Sequence, residues 1–219
     1  TWSLSGSRAS AQFSDNVEQL CSLHEVGSAH PGNLPPGAAE RPAGIDDCTA
    51  SFRVVAGSIS GRVAPELHRV ISSRPAQLEG VRWLFKAYHG AHLAGCRGCV
   101  LGDGMGVGKT VQTIVTVHTL VANDQAKSTL IVTPKGVLAQ WAAEFGKFLA
   151  PPGKPAVVPL LEVAVVGDGV QAATAERALA RLRTGVPVVV LITYAMAARH
   201  LPAFTKAGGS VDLLVADEA

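Results

Sequence analysis

From residue 98 onward, continuous apolar runs alternate with helical patterns, and this alternation leaves few folds open. The runs are "GCVLG", "STLIVTP", "LLEVAVVG", "VPVVVLITY" and "VDLLVADEA". Between them lie "KTVQTIVTVHTLVAN", "GVLAQWAAEFGKFL", "VQAATAERALARLRTG" and "AMAARHLPAF", each read as a helix. Strands of uninterrupted apolar residues belong to parallel sheets covered by helices on both faces. The expectation is therefore an α/β fold with a mostly parallel sheet. Ligands of such sheets bind at the carboxyl ends of the strands. Upstream, "QLEGVRWLFKAYHGAHL" and "PELHRVISS" read as helices, the second with Leu67, Val70 and Ile71 on one face. "SFRVVAGSISGRV" holds one short strand.

Residues 1 to about 50 are rich in Ser, Gly, Ala and Pro. "HPGNLPPGAAERPAG" carries turn and polyproline signals without periodicity. The expected organisation is a largely disordered segment over 1–61 and a folded lobe over 62–219. Charge divides the same way. Residues 1–50 hold Arg8 and Arg41 against Asp15, Glu18, Glu25, Glu40, Asp46 and Asp47, a net of −4 in a chain of net +2. The remainder is mildly basic, which is compatible with nucleic acid. No apolar run approaches the roughly 18 residues of a membrane span, so no membrane partner is expected. Cys96 and Cys99 have a C-x-x-C spacing, but a zinc site needs a second ligand pair. They are read as reduced thiols leading into a buried strand.

The stretch "CVLGDGMGVGKTVQTI" ends an apolar run in a glycine turn and enters a helix. A phosphate-binding loop written G-x-x-x-x-G-K-[ST] wants glycine five residues before Gly108, where this chain has Asp103. The chemistry is otherwise complete. Gly104, Gly106 and Gly108 let backbone N–H groups turn inward, and a helix N-terminus adds positive potential. Lys109 can reach the β- and γ-phosphates, and the Thr110 hydroxyl can bind Mg²⁺. Met105 and Val107 complete the loop. Asp217 and Glu218 end the apolar run "LLVA". One carboxylate can hold Mg²⁺ while the other orients or deprotonates an attacking water. Gln77 lies 32 residues before Lys109, and its amide can both donate to and accept from an adenine edge.

"RPAQLEGVRWL", "GCVLGDGMGVGKTVQTI", "TLIVTPKGVLAQWAAEF", "VLITYAM" and "DLLVADEA" share order and spacing with the Swi/Snf-type ATPases of helicase superfamily two. The chain resembles the first RecA-like lobe of that family over residues 62–219. In the family the loop reads D-E-M-G-L-G-K-T, so Asp103 is the family's own residue. Gly104 departs from it and removes a carboxylate near the phosphates. Two segments, "RVAPELHRVISSRPAQLEGV" and "TLIVTPKGVLAQWAAEFGKFL", look most like the Rad-fifty-four and Rdh-type recombination translocases, with Ser73 where "LRP" is usual.

The resemblance implies ATP and Mg²⁺ as cofactors. It places Gln77 at adenine with Arg74 nearby, Lys109 and Thr110 at phosphate and Mg²⁺, and Asp217 and Glu218 at Mg²⁺ and water. It implies that Thr133, Pro134, Lys135, Thr193 and Tyr194 face a DNA backbone, where contacts track a strand without reading bases. The implied parent is a nuclear, ATP-driven double-stranded DNA translocase acting in chromatin remodelling or homologous-recombination repair, with chromatin or recombinase filaments as partners. The family continues "DEAH" or "DEGH" where this sequence ends at Ala219, followed by a second RecA-like lobe with arginine fingers. An arginine finger is worth about 10³–10⁵ in rate in comparable NTPases, so little hydrolysis is expected of this lobe alone. A strand-separating helicase lobe and a non-catalytic nucleotide-binding fragment are the alternatives.

Overall fold

The computed structural model describes residues 53–92, 97–149 and 161–218. It opens with an antiparallel hairpin, β1 (Arg53–Ala56) and β2 (Ile59–Arg62), followed by α1 (Pro65–Ser72) and α2 (Pro75–Tyr88). Both helices start on a proline, whose fixed φ suits a first helical turn and whose missing N–H is not needed there. Next come α3 (Lys109–Ala122), β3 (Ser128–Thr133), a 3₁₀ turn (Lys135–Val137) and α4 (Leu138–Leu149). The chain continues through β4 (Glu162–Val166), α5 (Ala172–Arg181), β5 (Val188–Thr193), α6 (Tyr194–Lys206) and β6 (Leu213–Ala216).

The four later strands form one sheet in the order β4-β5-β3-β6, with every pairing parallel. This is the α/β architecture that the apolar runs predict. All residues of β3 and β5 are buried, because helices cover both faces. Alternate residues serve opposite layers, as the period of two requires. Leu130, Val132, Val188, Val190 and Ile192 meet α5 and α6. Ile131, Val189 and Leu191 meet Ile114, Val117 and Val121 of α3 and Leu138, Trp141 and Phe145 of α4. A third cluster joins Val54 and Ala56 of the hairpin, Leu67 and Ile71 of α1, and Val81 and Phe85 of α2 to Val115 and Leu120.

Helix α3 lies between two of these clusters, and Gln112 through Val121 are all buried. Its threonines fit there because each hydroxyl returns to the helix. Thr113, Thr116 and Thr119 donate to the carbonyls of Lys109, Gln112 and Val115. Asp212 pins the start of β6 to β3 by accepting from the Lys127 and Ser128 N–H groups and the Ser128 hydroxyl. Burial pushes its carboxyl pKa up, but these bonds hold it below the ordinary value.

Three sequence expectations change. "GCVLG" is not a strand: residues 97–104 adopt no regular strand, and Cys99 and Val100 are exposed rather than buried. An apolar run becomes a strand only where a partner completes its ladder, and among the described residues β6 pairs with β3 alone. "SFRVVAGSISGRV" supplies two strands, and Val54 and Ala56 join the core although they precede residue 62. The run "VPVVVLITY" ends one residue early, because the Thr193 hydroxyl caps α6 by accepting from the Met196 N–H. The disorder expected before residue 53 lies outside the described residues, as does Cys96.

Candidate nucleotide-binding site

The glycine turn stands on the N-terminus of α3, the most enclosed helix of the lobe. Gly108 caps that helix at φ +94, in the left-handed region where glycine carries no steric penalty. A Cβ on Gly108 would lie 2.2 Å from Gln77 Nε2. Gln77 is 1% exposed and donates to the Val107 carbonyl at 3.0 Å. Helix α2 is thus tied to the turn through one amide. The Gln77 Oε1 atom is buried without a hydrogen-bond partner. It is an acceptor beside the loop that a nucleotide's donors could satisfy. Gln112, one turn into α3, donates to the Asp103 carboxylate at 3.1 Å. Lys109 folds back so that its ammonium donates to the carbonyls of Asp103 and Gly104. The turn therefore holds its lysine over its own backbone. Met105 is 99% exposed at the tip, and Thr110 is half-buried on α3. Gly104 needs no glycine: its φ is not left-handed and a Cβ there meets nothing. Arg74 is exposed at the N-cap of α2.

A second group gathers at the carboxyl ends of β3, β5 and β6. Register places Thr133 opposite Thr193 and Val132 opposite Ala216, so Asp217 follows directly. Asp217 is held on both sides: its Oδ2 accepts from the Trp141 indole N–H at 2.7 Å, and its carbonyl accepts from the Tyr194 hydroxyl at 2.9 Å. Burial raises the Tyr194 pKa, and the charges of Asp217 and Glu218 raise it further. Glu218 is exposed, at φ +54. Helix α3 runs down to the start of β3, so its N-terminus and the glycine turn rise to this same edge of the sheet. Among the described residues, no hydrogen bond or ion pair joins the turn to Asp217 or Glu218.

The remaining candidates divide by exposure. Thr133 and Thr193 are buried at 0% and 1%. The Thr133 hydroxyl donates to the adjacent Pro134 carbonyl, and the Thr193 hydroxyl donates to Asp168 Oδ1 at 2.8 Å. Lys135 is exposed and pairs with Asp168 Oδ2 at 3.4 Å. The Thr193 hydroxyl and then Lys135 hold the Asp168 carboxyl below its ordinary pKa. Asp168, Trp141 and Gln112 are site residues that sequence reasoning missed. Asp168 had a signal, an acid just beyond a strand end, the same that marked Asp217. Trp141 had none, since its helical spacing matches a core residue.

Trp141→Phe keeps the ring in the core and removes the donor to Asp217. Bonds to charged groups contribute about 1.5–3 kcal/mol, at the low end for a half-buried partner. The expected result is a several-fold loss of Mg²⁺-dependent nucleotide affinity, with affinity in EDTA unchanged. Titration of a fluorescent ATP analogue checks it, and an equal loss in EDTA would refute the role.

A four-stranded parallel sheet flanked by helices, with a glycine turn on a buried helix, defines a mixed α/β lobe. The chain belongs to the SNF2-related domain family, whose model matches residues 76–219. It is 32% identical over 199 residues to "DNA repair and recombination protein RAD54" of Oryza sativa subsp. japonica, covering 85% of this chain and 18% of that protein. It is 32% identical over 154 residues to "Protein CHROMATIN REMODELING 25" of Arabidopsis thaliana, covering 67% of this chain and 16% of that one. A solved structure, the "Sulfolobus solfataricus SWI2/SNF2 ATPase core in complex with dsDNA", matches at 25% identity and TM-score 0.43 over 66% of this chain and 25% of its own. The chain thus spans less than a fifth of the two curated relatives.

Proposed function

We propose that this lobe binds Mg²⁺–ATP and serves a nuclear, ATP-dependent double-stranded DNA translocase in recombination repair or chromatin remodelling. The observation that carries the reading is the turn at Gly108: left-handed, seated on a buried helix, followed by Lys109, and braced by a glutamine with an orphaned acceptor. Membership of the SNF2-related family supports the activity, and the names of the relatives support the setting. Lys109 would leave its own carbonyls for phosphate, with the N-terminal amides of α3 around it. Thr110 and Asp217 would hold the metal, and Glu218 would orient water. Bound Mg²⁺ would neutralise charge developing on the phosphates. Gln77 would read adenine through the atom that now lacks a partner. Lys135 would meet a DNA phosphate, with Thr133, Pro134, Thr193 and Tyr194 shaping the surface behind it. Turnover by the lobe alone is proposed to be slow, because Lys109 must first leave the carbonyls of Asp103 and Gly104.

A second reading, nucleotide binding without catalysis, is favoured by one detail: Lys109 is already satisfied by the carbonyls of Asp103 and Gly104. Titration of a fluorescent ATP analogue, with and without Mg²⁺, tests the shared premise. Mg²⁺-dependent binding is expected, falling at least about tenfold in Lys109→Ala, because a charge-assisted contact is lost. Equal binding by both proteins would sink the assignment. Duplex-stimulated turnover then separates the first reading from the second.

A further inference from the structure

A groove of about 380 Å³ opens at the far end of α3, lined by Arg53, Ser60, Arg62, His118 and Asn123 among others. It is half-open with a mainly polar lining, not an enclosed cavity. It is separate from the glycine turn, since the 14 residues of α3 place the two ends about 20 Å apart.

Two independent features of its walls lack a partner. The first is charge. Arg53 and Arg62 face each other directly across the hairpin. Like charges in directly opposed positions are destabilising. Among the described residues no carboxylate forms an ion pair with either. The second is His118. It is fully buried, it lines the groove, and neither ring nitrogen has a hydrogen-bond partner. Burial keeps its imidazole neutral near pH 7, so it carries one N–H donor and one acceptor. The walls are also fixed. Asn123 Oδ1 accepts from the Arg62 N–H at 2.9 Å, and Asn123 Nδ2 donates to the Arg62 carbonyl at 3.0 Å. Gln125 donates to the Ser60 carbonyl at 3.1 Å. Ser60 Oγ accepts from Arg53 at 2.8 Å, which leaves its own hydrogen for a ligand.

We propose that this groove is a second anion site, which binds a phosphate group between Arg53 and Arg62 with the His118 ring at its inner wall. Two arginines and a serine hydroxyl line one volume, with the sealed His118 ring behind them. They suit a tetrahedral, multiply charged oxyanion, whose three free oxygens use more donors than the two of a carboxylate. The phosphate belongs either to a small phosphorylated molecule or to a nucleic-acid backbone, and both present this chemistry. Glu66, exposed on α1, is the opposing charge that His118 feels. Glu66→Gln should therefore strengthen binding.

The test uses the full chain carrying Lys109→Ala, which silences the glycine turn. The His118 ring resonances are followed by NMR during titration with inorganic pyrophosphate, with a short DNA duplex, and with acetate as control. Pyrophosphate or duplex is expected to shift them saturably. Arg53→Gln and Arg62→Gln should each weaken binding by about tenfold, and the double variant should abolish it, since a charge-assisted contact is lost each time. These exposed positions are chosen so that the variants stay folded. Response to pyrophosphate alone assigns a small ligand, and response to the duplex assigns a backbone; either supports the site. Unmoved His118 resonances, a response equal to that of acetate, or a response that survives the double variant would overturn it.

Discussion

Gly108→Ala is expected to abolish detectable ATP-analogue binding and to lower stability by about 2–4 kcal/mol. Two costs combine. The residue sits at φ +94, where an L side chain costs roughly 1–2 kcal/mol. The new methyl would also lie 2.2 Å from Gln77 Nε2, so the amide must move. Moving it breaks the bond to the Val107 carbonyl, worth about 1 kcal/mol, and strands a second polar atom where one is already orphaned. A double-mutant cycle separates these costs. Gln77→Ala removes the atom that clashes but leaves the backbone strain. The double variant should then be less destabilised than the sum of the singles, by about 1–2 kcal/mol. Additive losses in urea unfolding would mean that Gln77 does not brace the turn. Gly104→Ala is the internal control, expected within about 0.5 kcal/mol of the parent because a Cβ there has open space.

This contrast between two glycines of one turn shows what a sequence discloses. "GDGMGVGKT" announces a phosphate loop, because the residue types and their order carry the chemistry. It does not say which glycine is irreplaceable; that depends on where Gln77 packs, 31 positions upstream. The same limit explains the rest. β3 and β5 were legible because burial on both faces leaves an uninterrupted apolar run. "GCVLG" has the same local signal, yet nothing local reveals whether a neighbouring strand completes its ladder. Asp217 was legible from its place at a strand end, while the Trp141 donor that holds it comes from a helix 76 residues away in sequence. Thr133 and Thr193 matched a family motif, and their hydroxyls are bonded to the Pro134 carbonyl and the Asp168 carboxylate. Lys135 alone of that set presents a charged side chain outward.

Acid is expected to destabilise the lobe well above the range in which carboxylates titrate, with His118 as the largest single cause. Burial holds its imidazole pKa down to about 4, against 6.5 in an unfolded chain. Between those values the unfolded state binds the extra proton, so stability is full above pH 6.5 and falls as pH drops towards 4. From pH about 7 to about 4.5 the loss attributable to this ring is about 2–3 kcal/mol. Burial lowers the His68 and His89 pKa values as well, which adds loss of the same sign. The depressed carboxylates Asp168 and Asp212 act only below their ordinary value of 3.8, outside this window. Urea unfolding in phosphate-free buffer at the two pH values measures the difference. In His118→Leu most of it should vanish, and an equal acid loss in the variant would clear His118 of the role. The same variant should gain stability at neutral pH, because two unpartnered ring nitrogens leave the core. A buried ring that costs stability at neutral and acid pH is a destabilising element of this core, and it borders a groove faced by two arginines that pair with no carboxylate among the described residues.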